Sequence, residues 1–199
     1  MEGRFFSNIN YRKAFQYLIL KNITNEDLSG DYSTTMKLDS QIYLPFQKGS
    51  LSAAEVKAII DEGKPFVGEF IEATNRKPLK VFYLDTSSWI LDLLKRNGIK
   101  ISKDSKMVEY KEILNQYYKS FEPDILPKAS SVVSSDPDGV YHVLGKNGAI
   151  TSPMIYNKKV NDLLEEGRKI VDSDEVHRIY QKVSRSVLSE VPILSLIHI

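Results

Sequence analysis

Residues 78–102 read "PLKVFYLDTSSWILDLLKRNGIKIS", and they decide the class of fold. Pro78 opens a β-branched and aromatic run that ends at Asp85, which is strand composition. The next stretch supplies a hydroxyl cap, an apolar stripe and a closing glycine, Gly98, in helical order. "IKIS" at 99–102 follows at once as a second short strand. A strand, a helix and a strand joined this tightly form a β-α-β unit, and such a unit belongs to a parallel sheet. The fold predicted from this stretch is α/β, a mixed sheet flanked by helices.

The flanking sequence extends the pattern. Tyr11, Ala14, Phe15, Leu18 and Ile19 recur at helical spacing and predict an amphipathic helix from about Asn10 to Lys21. Residues 24–50 show no period and read as a long connection, and a loop of that length usually covers something. Ser52 with Glu55 forms a capping box, Val56, Ile59 and Ile60 form a stripe, and Gly63 is expected to end that helix. "EATNRKP" at 72–78 reads as a polar loop. Met107, Tyr110, Ile113, Leu114 and Tyr117 mark a further helix, with "DIL" and "SSVV" as short strands after it. Two long helices follow, one striped by Val160, Leu163, Leu164, Ile170 and Val171, the other by Val176, Ile179, Tyr180, Val183, Val187 and Leu188. "VPILSLIHI" closes the sequence as an apolar strand whose partner or continuation is expected to be missing.

"SSDPDGVYHVLG" at 134–145 carries two aspartates around a proline. An EF-hand loop beginning at Asp136 would need glycine where Tyr141 stands and an acid where Asn147 stands, so calcium is excluded. As local structure the stretch is a helix start: Asp136 is the N-cap, Pro137 fills the first helical position, and Asp138 complements the positive end of the dipole. Val140, Val143 and Leu144 form the stripe, and Gly145 is placed for a left-handed end.

Composition bounds the function. Of 199 residues, 42% are hydrophobic and 27% charged, which suits a globular chain. The net charge of +1 offers no field for nucleic acid or an anionic membrane. Absence of cysteine removes disulfides, thiolate metal sites and thiol nucleophiles. His142, His177 and His198 lack metal-ligand spacing, no G-x-S-x-G elbow is present, and "GKNGA" at 145–149 is a tight turn rather than a phosphate loop. The N-terminus lacks a signal-peptide layout, as a native chain or a fragment of a longer precursor would. In open α/β sheets, ligands collect where strands lead into helices. "DTSSW", with Ser88 and Trp89, is one such loop, and "SSD", with Ser135 and Asp136, is another.

In this order the segments resemble the extracytoplasmic solute-binding proteins of ABC importers, family 5, the peptide and nickel class. "NYRKAFQYLI" is similar to the family's Arg-Lys-Ala helix through Arg12, Lys13 and Ala14, and "LSAAEVKAIIDEG" to its Lys-Ala helix. "PLKVFYL" with "LLKRNGIKI" resembles its strand, helix and strand, and "SSDPDG" its Asp-Pro-Asp turn. The tail follows the family's order through Asn157, Asp162, Arg178, Tyr180, Glu190 and Pro192. The resemblance implies that residues 1–199 are one α/β lobe, the second ligand-binding lobe of a longer two-lobed protein that closes on a solute by hinge bending. It further implies no catalysis, no cofactor, a small solute such as an oligopeptide, an ABC permease as partner, and a periplasmic or lipid-anchored location. Cleft-facing residues expected on this basis are Asp136, Ser135, Ser88 and Trp89. The family's tryptophan and earlier acid before the Asp-Pro-Asp turn are replaced here by "SVVSS". Two other classes remain open: an autonomous interaction module that pairs through its terminal strand, and an enzyme joining Asp85 and Asp136 in one pocket.

Overall fold

Leu79, Val81 and Phe82, in the run opened by Pro78, are fully buried, the environment their branched and aromatic side chains demand. The computed structural model describes residues 4–24, 27, 38–39, 41–119, 122–127, 136–149, 151–152, 155–194 and 197–198. In chain order its helices and strands are α1 (Ile9–Asn22), β1 (Leu38–Asp39), α2 (Ala53–Asp61), α3 (Val67–Arg76), β2 (Phe82–Tyr83), α4 (Trp89–Arg96), β3 (Lys106–Met107), α5 (Tyr110–Tyr118), α6 (Tyr141–Leu144), α7 (Lys158–Gly167), α8 (Ser173–Glu190) and β4 (Ile197–His198). The chain forms two compact units, Met1–Met36 with Asp61–Ala129, and Lys37–Ile60 with Ser130–Ile199.

In the first unit β2 and β3 pair in parallel, Phe82 opposite Lys106 and Tyr83 opposite Met107. Single parallel bridges join Leu79 to Ile101 and Val81 to Ile125. The β-α-β reading therefore holds, but "IKIS" contributes one bridge, and Met107, expected in a helix, ends a strand. "DIL" likewise contributes only the bridge at Ile125. Gly98 adopts φ +73° just beyond α4, as a left-handed helix end requires. Asn8 caps α1 by accepting the Asn10 N–H at 2.9 Å. Phe5, Phe6, Tyr11 and Phe15 gather their rings around Phe70 of α3.

One expectation in this unit is corrected. "EATNRKP" is not a loop: its first five residues complete α3, where Phe70 and Ala73 are buried and the Thr74 hydroxyl donates to the Ile71 carbonyl at 2.8 Å. Burial on one face overrides the weak propensity of threonine and asparagine. Gly63 stands just beyond α2, which ends at Asp61 as expected, with φ −75°. A Cβ there would lie 2.1 Å from the Lys13 carbonyl oxygen, so glycine is needed for close approach to α1.

The second unit is built on α7 and α8. Tyr43, Val140, Leu144, Val160, Leu164, Tyr180, Val183 and Val187 form its core, and Leu51, Val56 and Leu188 a smaller cluster. Ser52 and Glu55 make the expected capping box, with the Glu55 N–H donating to the Ser52 hydroxyl at 3.3 Å and the Ser52 N–H to the Glu55 carboxylate at 3.2 Å. Residues 41–50 of the long connection do cover something, for Tyr43 is fully buried and the Gln41 amide oxygen accepts the Leu51 N–H at 2.6 Å. Val171, expected on the α7 stripe, is 97% exposed, because α7 ends at Gly167 and both Ile170 and Val171 lie beyond it. Gly145 has φ −74° and faces the Tyr141 ring, where a Cβ would lie 2.4 Å from a ring carbon, so it too serves close approach. The terminal strand has its partner within the chain: β4 pairs antiparallel with β1, His198 opposite Leu38. "SSVV" lies outside the described residues.

Candidate functional site

Parallel strands align their carboxyl ends, and the backbone leaving β2 and β3 therefore emerges on one edge of the sheet. After β2 the chain makes a single tight turn, Asp85–Ser87, before α4. Ser87 fastens it, accepting the Leu84 N–H at 2.9 Å and donating to the Leu84 carbonyl at 3.1 Å. Ser88, directly before α4, makes no side-chain cap bond. After β3 the Val108 N–H donates to the Tyr83 carbonyl at 2.8 Å, which holds Val108 and Glu109 beside the turn. Between the two exits lies an open concavity of about 460 Å³, lined by Leu84, Asp85, Thr86, Met107, Val108 and Glu109. An adjoining concavity of about 610 Å³ shares Met107, Val108 and Glu109 and runs along α5 past Leu114 to Tyr118, with Lys106, Lys111 and Lys119 in its wall.

The lining combines Leu84, Met107 and Val108 with two acids, Asp85 and Glu109, and the Thr86 hydroxyl. Asp85 and Glu109 precede α4 and α5, where the helix dipoles favour carboxylates. Neither carboxylate has a hydrogen-bond or ion-pair partner among the described residues. The Lys106 ammonium instead lies 4.7 Å from the centroid of the Phe82 ring.

Of the residues singled out in the sequence, Ser88 is exposed and Trp89 half-buried, adjacent in the loop that supplies Asp85 and Thr86. Asp136 belongs to the second unit, where its carboxylate accepts the Asp138 N–H at 2.9 Å, the expected cap. Ser135 lies outside the described residues. Spacing alone hides Met107, Val108 and Glu109 because Met107 falls in phase with the α5 stripe; "KMV" ahead of "EYKEIL" is the signal for a strand that stops at an acidic helix start.

Asp138 is tied into the framework of the second unit. Its carboxylate meets Arg168 Nε at 3.2 Å and accepts from the Tyr180 hydroxyl at 3.4 Å. The Arg168 guanidinium stacks 4.1 Å from the Tyr141 ring centroid, and the Tyr141 hydroxyl donates to Glu165 at 2.6 Å. Burial, with the negative charge of Asp138 beside it, pushes the Tyr180 hydroxyl well above the ordinary tyrosine range. The Glu165 hydrogen bond raises Tyr141 in the same way. Among the described residues no group of three or more histidine, aspartate or glutamate side chains is arranged to hold a metal ion. His177 is occupied, its Nδ1 accepting the Gly49 N–H at 3.2 Å.

Solved structures share this architecture. MppA, a periplasmic murein tripeptide binding protein in its unliganded open form, superposes with a TM-score of 0.73 at 12% identity, covering 99% of this chain and 40% of its own. DppA from Helicobacter pylori, in complex with the peptide STSA, gives 0.67 at 16% identity, covering 99% of this chain and 39% of its own. NikA from Staphylococcus aureus, in complex with Ni(L-His)2, gives 0.62 at 18% identity, covering 96% and 42%. The fold is that of a single lobe of the periplasmic-binding-protein-like class. No protein-family profile matches the chain, and no curated protein does. The chain spans about 40% of the length of the solved structures it matches. In this lobe the concavity beyond β2 and β3 occupies the edge at which open α/β sheets place ligands.

Proposed function

We propose that this chain is a ligand-binding lobe, residues 1–199, of an extracytoplasmic solute-binding protein serving an ABC importer. The observation that carries the reading is the solute-binding-protein fold, with an open concavity at the carboxyl ends of its parallel strands. The role is capture: a longer protein closes two lobes around a peptide or similar small solute and delivers it to a membrane permease, with no bond made or broken. MppA and DppA, which bind peptides, support that solute class, and NikA makes a metal complex the alternative. Within the chain we assign solute contacts to the Asp85–Trp89 loop, including Ser88 and Trp89, and to Ser135 and Asp136 in the second unit.

A ligand that binds only the folded state raises the thermal midpoint. The test measures that midpoint for this chain and for the longer protein that contains it, against di- and oligopeptides, nickel–histidine complexes and sugars. A peptide-specific rise that is large in the longer protein and small in this chain is expected, because one lobe supplies only part of the desolvating surface. No rise in either, together with concentration-dependent self-association of this chain, would replace capture with a protein-interaction role.

A further inference from the structure

Two asparagine-glycine pairs stand in the sequence, Asn97 with Gly98 and Asn147 with Gly148, and the fold treats them differently. We infer that Asn147 is a site of spontaneous covalent modification in the folded chain, and that Asn97 is protected from the same reaction. The chemistry needs only water. The Gly148 amide nitrogen gives up its proton to solvent and attacks Asn147 Cγ; the bond from Cγ to Nδ2 breaks, ammonia leaves, and a succinimide ring closes. Water then opens the ring at either carbonyl and leaves aspartate or isoaspartate. A following glycine favours the attack because no side chain shields its nitrogen, and asparagine in that setting is thermolabile.

Both glycine nitrogens are engaged alike, the Gly98 N–H donating to the Lys95 carbonyl and the Gly148 N–H to the Gly145 carbonyl, each at 2.9 Å. The asparagine side chains separate the pairs. Asn97 ends α4 half-buried, its Nδ2 donating to the Leu93 carbonyl at 2.7 Å and its Oδ1 accepting from Asn22 Nδ2. The side chain is thereby drawn back along the helix rather than forward to Gly98. Opening this end also breaks the 3.0 Å bond from the Ile99 N–H to the Leu94 carbonyl and exposes Ile99, which is buried. Asn147 is exposed in the turn after α6, and its side-chain amide has no partner among the described residues. Swinging its peptide outward breaks the Gly148 bond and the 3.3 Å bond from the Thr151 N–H to the Gly148 carbonyl, and no apolar side chain in 146–149 is buried. Openings that uncover so little are the least costly in a fold. Isoaspartate adds a carbon to the backbone where even a Cβ on Gly148 would lie 2.3 Å from the Tyr141 carbonyl oxygen, so the product cannot re-form the turn.

The test incubates the whole chain in mildly alkaline buffer, folded and in concentrated urea, and follows the amide-to-acid mass change at both pairs by digestion and mass spectrometry. Electron-transfer fragmentation separates aspartate from isoaspartate. In urea the two pairs are expected to convert at similar rates. In the folded chain Asn147 is expected to outpace Asn97 by more than about tenfold, the scale of two side-chain hydrogen bonds. Asn22→Ala removes the donor to Asn97 Oδ1 at the exposed end of α1, and is expected to speed Asn97 about fivefold while leaving Asn147 unchanged. Asn147→Gln, whose longer side chain closes a less favourable ring, is expected to silence that position. Equal rates at the two pairs in the folded chain, or faster conversion of Asn97, would overturn the inference, as would an Asn147 that converts only in urea.

Discussion

Replacing Gly63 by alanine sets two effects of opposite sign against each other, and the structure says which wins. Gly63 has φ −75° and ψ −21°, a conformation alanine adopts freely, so narrowing the unfolded ensemble would by itself stabilise the fold by about 0.4–1 kcal/mol. The new Cβ, however, would sit 2.1 Å from the Lys13 carbonyl oxygen, 2.6 Å from its carbon and 3.0 Å from Tyr17 Cβ. The first two atoms are backbone inside α1 and cannot rotate aside. Relief requires shifting the turn away from α1, and overpacking of that kind costs about 1–3 kcal/mol, here at the upper end. The expected net loss is about 2 kcal/mol. Gly68 is the matched control: it lies inside α3, and a Cβ there would meet nothing within 4 Å. Gly68→Ala is therefore expected to stabilise by about 0.5–1 kcal/mol. Urea unfolding followed by the fluorescence of Trp89, the one tryptophan, reads the unit in which both glycines stand. Gly63→Ala as stable as the parent, or equal shifts for the two variants, would refute the close-approach argument.

Three further outcomes follow from the same coordinates. Tyr43 is fully buried, and its hydroxyl has no hydrogen-bond partner among the described residues, so Tyr43→Phe is expected to leave stability unchanged or raise it by up to about 1 kcal/mol; a loss larger than that in urea would reveal a partner. The Arg96 guanidinium, grasping both Asp27 oxygens at 2.8 Å, holds that carboxyl at about 2, below its ordinary 3.8. A depressed carboxyl contributes stability above the unfolded value and loses it as pH falls through the folded one, so between about pH 4 and 2 the parent should lose stability that Asp27→Asn does not, as read by thermal midpoints across that range. Ser52→Ala removes the hydroxyl that caps α2 and is expected to cost about 1 kcal/mol by urea unfolding, whereas Ser52→Asp, which keeps a capping acceptor, should cost less.

Where a residue's role is local, the sequence already displays it. Asp136 before Pro137, Ser52 three residues ahead of Glu55, and Gly98 after the α4 stripe act within one turn of chain, and each does in the structure what its type and spacing imply. Gly63 and Gly145 look like the same kind of signal but answer to a distant partner, the Lys13 carbonyl in one case and the Tyr141 ring in the other. Nothing in spacing separates a glycine chosen for φ from one chosen for clearance. The same distinction governs the site. Ser88 and Trp89 mark a strand-to-helix loop legibly, but Met107 and Glu109 join that loop only because β3 pairs with β2, a register set by backbone hydrogen bonds rather than by any motif.

The exposure of the concavity bears on how such a lobe would work. Asp85, Thr86, Met107 and Glu109 are all exposed, so a polar solute group bound there alone would keep much of its water, and exposed charge contacts contribute only about 0–1 kcal/mol. Covering the same carboxylates with a second surface lowers the local dielectric and strengthens each contact several-fold. Under the capture reading, the weakness of the open concavity becomes useful. A site that binds feebly when open and firmly when covered gives the solute a differential affinity for the closed state, and that difference is the only means by which a ligand can drive closure. Filling the concavity's polar rim within the lobe itself, by Thr86→Lys beside Asp85, should then remove the solute's contribution to closure without unfolding the chain. In the longer protein this would appear as loss of the ligand-induced compaction measured by small-angle scattering, with the thermal midpoint of the unliganded protein unchanged. Compaction that persisted in the variant would show that closure draws its free energy from elsewhere.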